Sequence, residues 1–92
     1  MKTCLYLYTK SSEDVVFWQM LDYTINLKEG DIFEYNQRHY DELNSESKKE
    51  FNRSGAIFGK YIVDSTAIED KNEHYGKYKS LFLKPDLADL SS

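Results

Sequence analysis

Ninety-two residues with a net charge of −4 make one domain of ordinary soluble composition, too short for two independent cores. The acidic balance argues against wholesale nucleic-acid binding. No run approaches the ~18 apolar residues of a membrane span, and the start lacks a signal-peptide core with a cleavage site, so a cytoplasmic protein is expected. A single cysteine excludes an internal disulfide, which leaves eight tyrosines, five phenylalanines and one tryptophan, at roughly 150–250 Å² of buried surface each, to carry a small core.

The first element is a strand over residues 2–9, "KTCLYLYT". Cys4, Tyr6 and Tyr8 share one face and Leu5 and Leu7 the other, and two apolar faces suit a strand covered on both sides. Cys4 reads as a small buried hydrophobe, not a reactive nucleophile. After the break at "KSSED", residues 15–27 admit two templates. As a helix, a serine cap at Ser11 or Ser12 would precede an inward stripe of Val16, Phe17, Met20 and Leu21. As a strand, Val15, Phe17, Leu21, Tyr23, Ile25 and Leu27 share one face, interrupted only by Gln19, while Trp18 and Met20 lie on the other. The strand template fits more positions, and the β-branched and aromatic residues favour it. "NLKEGD" then supplies turn residues, so Gly30 is read as a geometric requirement and not as part of a ligand loop. "IFEY" (residues 32–35) is a short third strand.

Residues 36–55 form the polar middle. A surface helix starts from a cap at Ser45, with Glu46 in its first turn, Arg53 towards its end and Gly55 as a left-handed stop; Leu43 and Phe51 are its apolar anchors. Strand character resumes at "AIFGKYIVDSTAI", where the internal Gly59 suggests a bulge. "EDKNEHYGK" is read as a turn and "YKSLFLK" as the last strand, with Tyr78, Leu81 and Leu83 apolar. The expected architecture is mainly β: a five-stranded antiparallel sheet or partly closed barrel with one short helix between the third and fourth strands, spanning residues 1–84. The tail over residues 85–92 either forms one helical turn from Pro85 or frays.

No constellation specifies a reaction. "GAIFGK" is one residue short of a phosphate loop, lacks the following Ser or Thr and runs into a strand where a helix is required. His39 and His74 have acidic neighbours but no metal-ligand spacing, and both read as surface residues; no framed serine or second thiol offers a nucleophile. No enzyme activity, metal or cofactor is expected. Lys71, Lys77, Lys79 and Lys84 interleave with Tyr78 and Phe82, a pattern able to hold single-stranded nucleic acid, although lysines turned outward on an edge strand explain it as well. The surplus aromatic surface favours a different role, a protein-binding module that occupies another protein's surface. Trp18, Tyr23, Tyr40 and Tyr61 are its candidate interface residues, and a sheet edge offers pairing with a partner strand or a second copy. Compact single-domain chains without catalytic groups are common among phage proteins that block host enzymes, and an inhibitor or accessory subunit is the expectation on that analogy; nucleic acid is the alternative partner.

Overall fold

A computed structural model describes residues 2–9, 13–72 and 76–86, with residues 69–72 described by their backbone alone. The elements in chain order are β1 (Lys2–Leu7), β2 (Phe17–Leu21), β3 (Ile32–Tyr35), α1 (Gln37–Asp41), α2 (Ser45–Ser54), β4 (Gly59–Asn72) and β5 (Gly76–Pro85). The strands form one half-barrel sheet in the order β2-β1-β5-β4-β3. This is the mainly β fold with helical structure between the third and fourth strands that the sequence predicts, with two refinements. The sheet is mixed, because β5 runs parallel to β1 from Lys2↔Tyr78 to Leu7↔Leu83 while every other pair is antiparallel. The polar middle holds two helices, not one.

The alternation of β1 places Thr3, Leu5 and Leu7 on the concave face, all fully buried. On the convex face Cys4 is buried, whereas Tyr6 and Tyr8 are only partly covered. Strand β2 ends at Leu21, four residues before the end near Ile25 that the turn residues from Asn26 imply, because the chain there leaves one sheet edge and crosses beneath the concave face to the other. Side chains replace the strand ladder along this crossing. The Thr3 hydroxyl donates to the Tyr23 carbonyl at 2.8 Å and accepts from the Ile25 N–H at 3.0 Å, and Lys79 Nζ donates to the Leu27 carbonyl at 2.6 Å. Ile25 and Leu27 still pack against the core. The crossing docks on β4, where Gly30 N–H donates to Val63 O and Val63 N–H to Asp31 O, both at 2.8 Å. Within "KEGD" the Lys28 N–H donates to Asp31 Oδ2 at 3.0 Å, and Gly30 takes φ +92°, a conformation that side chains disfavour.

Helix α2 is capped one residue earlier than expected: Asn44, not Ser45, accepts from Ser47 N–H at 2.8 Å. Gly55 ends it in the left-handed region at φ +86°. Gly59 opens β4 instead of interrupting it, and the register shifts of its pairing with β5 lie between Val63 and Ser65 and between Glu69 and Asn72. Strand character continues to Asn72 and resumes at Gly76, so residues 69–72 and 76–77 of the expected turn are strand; residues 73–75 lie outside the described residues. Pro85 is a buried end residue of β5 and Asp86 N–H donates to Lys60 O at 2.9 Å, so the sheet passes the expected boundary at residue 84. Residues 87–92 lie outside the described part.

The concave face is sealed by rings. Phe51, the buried anchor of α2, meets Phe17 of β2 edge-on at 5.2 Å, stacks on Tyr35 of β3 at 5.3 Å and contacts Tyr40 and Phe58 at 5.4 Å each. Each such pair contributes about 0.5–1.5 kcal/mol beyond area burial. One side chain therefore joins both sheet edges to both helices.

Candidate protein interface

Gln19, the polar residue that interrupts the apolar alternation of β2, decides which way that strand faces. Its side chain is buried: Oε1 accepts from the Tyr35 hydroxyl at 2.7 Å and Nε2 donates to the His39 carbonyl at 2.9 Å. Both ends of the amide are satisfied across the gap between β2, β3 and α1, which offsets the cost of burying it. With Phe17, Gln19 and Leu21 held inward, Trp18 and Met20 must point to the convex side.

On that side Trp18 is 54% exposed and lies opposite Tyr6 in the β1–β2 register. Tyr6 lies opposite Phe82 of β5, and the two rings stack with centroids 4.9 Å apart at 10°. The result is a transverse aromatic row, Trp18–Tyr6–Phe82, over three strands. Beside it runs a row of Met20, Cys4 and Ser80, of which the last two are buried. Farther along the same face, Ile32 and Ile62 pair across β3 and β4 and are both exposed.

The edge of β2 opens on a groove of about 770 Å³. Consecutive residues of β2 form one wall, and Glu42, Leu43, Ser47 and Glu50 from the α1–α2 connection and α2 form the other. Its size falls within the roughly 300–1,000 Å³ usual for ligand clefts. Among the described residues no strand pairs with this edge.

Of the four interface residues expected from sequence, the structure brings two together. Trp18 and the exposed Tyr23 both line the groove. Tyr40 is half-buried in the ring cluster, where its hydroxyl accepts from Asn52 Nδ2 at 3.1 Å and Lys48 Nζ lies 5.6 Å from its ring. Tyr61 cannot serve: it has no exposed surface, and its hydroxyl donates to Ile57 O at 2.6 Å to hold the segment after α2. Strand parity alone did not tell which face of β4 would be covered.

The alternative nucleic-acid set is dispersed. Lys77 and Lys79 share the parity of the concave-facing Leu81 and Leu83, whereas Tyr78 and Lys84 lie on the opposite face. Lys79 is engaged by Leu27, and Lys84 pairs with Asp64 at 3.7 Å and sits 5.5 Å from the Tyr8 ring centroid. The side chain of Lys71 lies outside the described residues.

His39, expected at the surface, is only 5% exposed. It stands at the third position of α1, where its Nδ1 accepts from Asn36 N–H at 3.2 Å while the Asn36 side chain accepts from Arg38 and His39 N–H, a reciprocal capping box with histidine in the place usual for Glu or Gln. Its ring lies 5.1 Å from Phe33 and 5.3 Å from Tyr35. Burial lowers its pKa, with Arg38 adding to the effect and Glu42 opposing it. His74 lies outside the described residues. Burial pushes the Cys4 thiol pKa up, which disfavours the reactive thiolate. Among the described residues no three His, Cys, Asp or Glu side chains group as a metal site, and no helix is long and apolar enough to cross a membrane.

Sequence reading missed Tyr6, Met20 and Phe82 as surface neighbours of Trp18, along with the acidic groove residues Asp22, Glu42 and Glu50. The apolar alternation of β1 was visible, but only the strand register shows that, among the described residues, one of its two faces carries no covering layer. No family model matches this chain, and neither a curated protein nor a solved structure does.

Proposed function

We propose that this chain is a non-enzymatic protein-binding module that acts by occupying a partner's surface through the convex side of β2, as an inhibitor or accessory subunit. The observation that carries the reading is Trp18, more than half exposed at the head of the Trp18–Tyr6–Phe82 row and held outward by the buried hydrogen bonds of Gln19. A large ring presented on a rigid strand brings contact area at little entropic cost, which is how interface hot spots are built. Tyr23 extends the same surface along the groove.

The test is capture from the host's lysate on the immobilised chain, repeated after nuclease treatment and at high salt, beside the Trp18→Ser variant. A partner protein is expected to survive both treatments and to lose about thirtyfold or more in affinity for the variant, the size of a hot-spot loss. If all captured material disappears with nuclease or salt, the reading fails in favour of nucleic-acid binding by the lysines of β5.

A further inference from the structure

The edge of β2 differs from a guarded sheet edge in composition. Phe17–Leu21 reads FWQML, with no lysine, proline or inward charge, and its pairing with β1 runs without a register shift from Leu7↔Phe17 to Thr3↔Leu21. Those are the devices that normally prevent strand addition. Alternate residues of such an edge turn their backbone N–H and C=O groups away from β1, and here they turn towards a groove whose far wall is α2. That wall holds the strand in place, because Phe51 packs on Phe17 and Gln19 is bonded to α1.

The charges of the groove are of one sign. Asp22, Glu42 and Glu50 line it, and among the described residues no lysine or arginine does. Asp22 pairs with Lys2 at 3.7 Å and Glu50 with Arg53 at 3.2 Å, but both pairs are solvent-exposed, and an incoming cation can exchange with such partners at small cost. The basic residues of α2 lie off the lining stripe, with Lys48 directed to the Tyr40 ring.

We infer that the groove receives an extended, basic segment of a partner protein, which adds to the sheet as a sixth strand along β2, with apolar side chains at alternate positions beside Trp18 and Lys or Arg facing Asp22, Glu42 and Glu50. Main-chain hydrogen bonds supply the binding and the acidic wall sets the partner's charge. A second copy of this chain does not meet that requirement: its own β2 edge, residues 16–23, carries no basic residue and brings Asp22.

The inference rests on the binding-module reading and names the partner element. It is tested by panning a displayed library of random twelve-residue peptides against the full chain, with Trp18, the sole tryptophan, as the fluorescent reporter. Enriched peptides are expected to alternate apolar and polar residues, to contain Lys or Arg, and to shift the emission of Trp18. N-methylation of one alternate set of their amides, but not the other, should abolish binding. Exchange of their basic residues for glutamate, or Glu42→Lys with Glu50→Lys in the protein, should weaken it about tenfold or more; the peptide exchange keeps this test independent of the variant's folding. Peptides with helical spacing, acidic peptides, indifference to N-methylation, absence of any enrichment, or self-association of the chain through β2 would each overturn it. If a Trp18-dependent partner is captured from lysate while the peptides fail, strand addition falls and the module stands; if that capture also fails, the module reading falls with it.

Discussion

Strands β3 and β2 close the two ends of one sheet under opposite conditions. β3 is four residues long, is preceded by the Gly30–Asp31 docking on Val63, and leads directly into the capped helix α1; its Phe33 and Tyr35 are buried. β2 is five residues long, buries only Phe17, Gln19 and Leu21, and leaves Trp18 in solvent beside an open groove. Both ends are aromatic, so composition does not separate them. The difference lies in the path the chain takes out of each strand. From β3 it folds back as helices over the concave face, whereas from β2 it departs beneath the sheet, so that the described residues leave only the groove and its α2 wall beyond that edge. An aromatic residue becomes structure at one end and accessible surface at the other.

The contrast can be broken most severely at the β3 end. Phe51→Ala removes a ring in contact with four others, and a loss of about 3–5 kcal/mol in unfolding free energy is expected by chemical denaturation. Gln19→Leu strips the Tyr35 hydroxyl of its acceptor and the His39 carbonyl of a donor, so a loss of about 1–3 kcal/mol is expected, together with weakened binding because β2 is no longer tied to α1. Gly55→Ala should cost about 1–2 kcal/mol from left-handed backbone strain. An added Cβ there would meet only Thr9 Cγ2 at an ordinary 3.6 Å, so the effect is conformational and not steric.

A smaller loss is expected on acidification. The folded pKa of His39 lies below its ordinary value of 6.5, so the unfolded chain binds the proton more readily. The stability associated with neutral His39 is fully present above that ordinary value and declines as pH falls through it towards the lowered folded pKa. Protonation also removes the Nδ1 acceptor for Asn36 N–H. Thermal melts between neutral pH and mild acid should show the decline, and His39→Gln, which retains a capping-box side chain, should reduce it. Least of all, Trp18→Ser is expected to change stability by no more than about 0.5 kcal/mol. A near-native melt combined with lost partner capture would separate surface from structure at that residue; a large drop in stability would erase the distinction between the two ends.

Much of the fold was legible locally, and for local reasons. The positive φ of Gly30 and Gly55 follows from their place in a turn and at a helix end, and α2 was found to within one residue of its cap. Of the candidate site, Trp18 and Tyr23 were legible as surplus aromatics, but Tyr61 has the same chemistry and is buried. Gln19 looked like an interruption in a pattern and is the hydrogen-bonded tie that fixes the orientation of the strand.

By itself the sequence determined that five strands would form, with a helix over residues 45–54 between the third and fourth, that Cys4 would be buried, and that aromatic residues would carry the core. These depend on period-two alternation, capping residues and glycine conformations, all set within a few neighbouring residues. Only the tertiary structure decided that β5 slots between β1 and β4 parallel to the first strand, that residues 22–31 cross beneath the sheet, that His39 is buried against Phe33 and Tyr35, and that, among the described residues, Trp18 stays exposed on the convex face and no strand pairs with the edge of β2. Alternation divides a strand into two faces but does not say which will be covered; that depends on contacts between residues far apart in the chain.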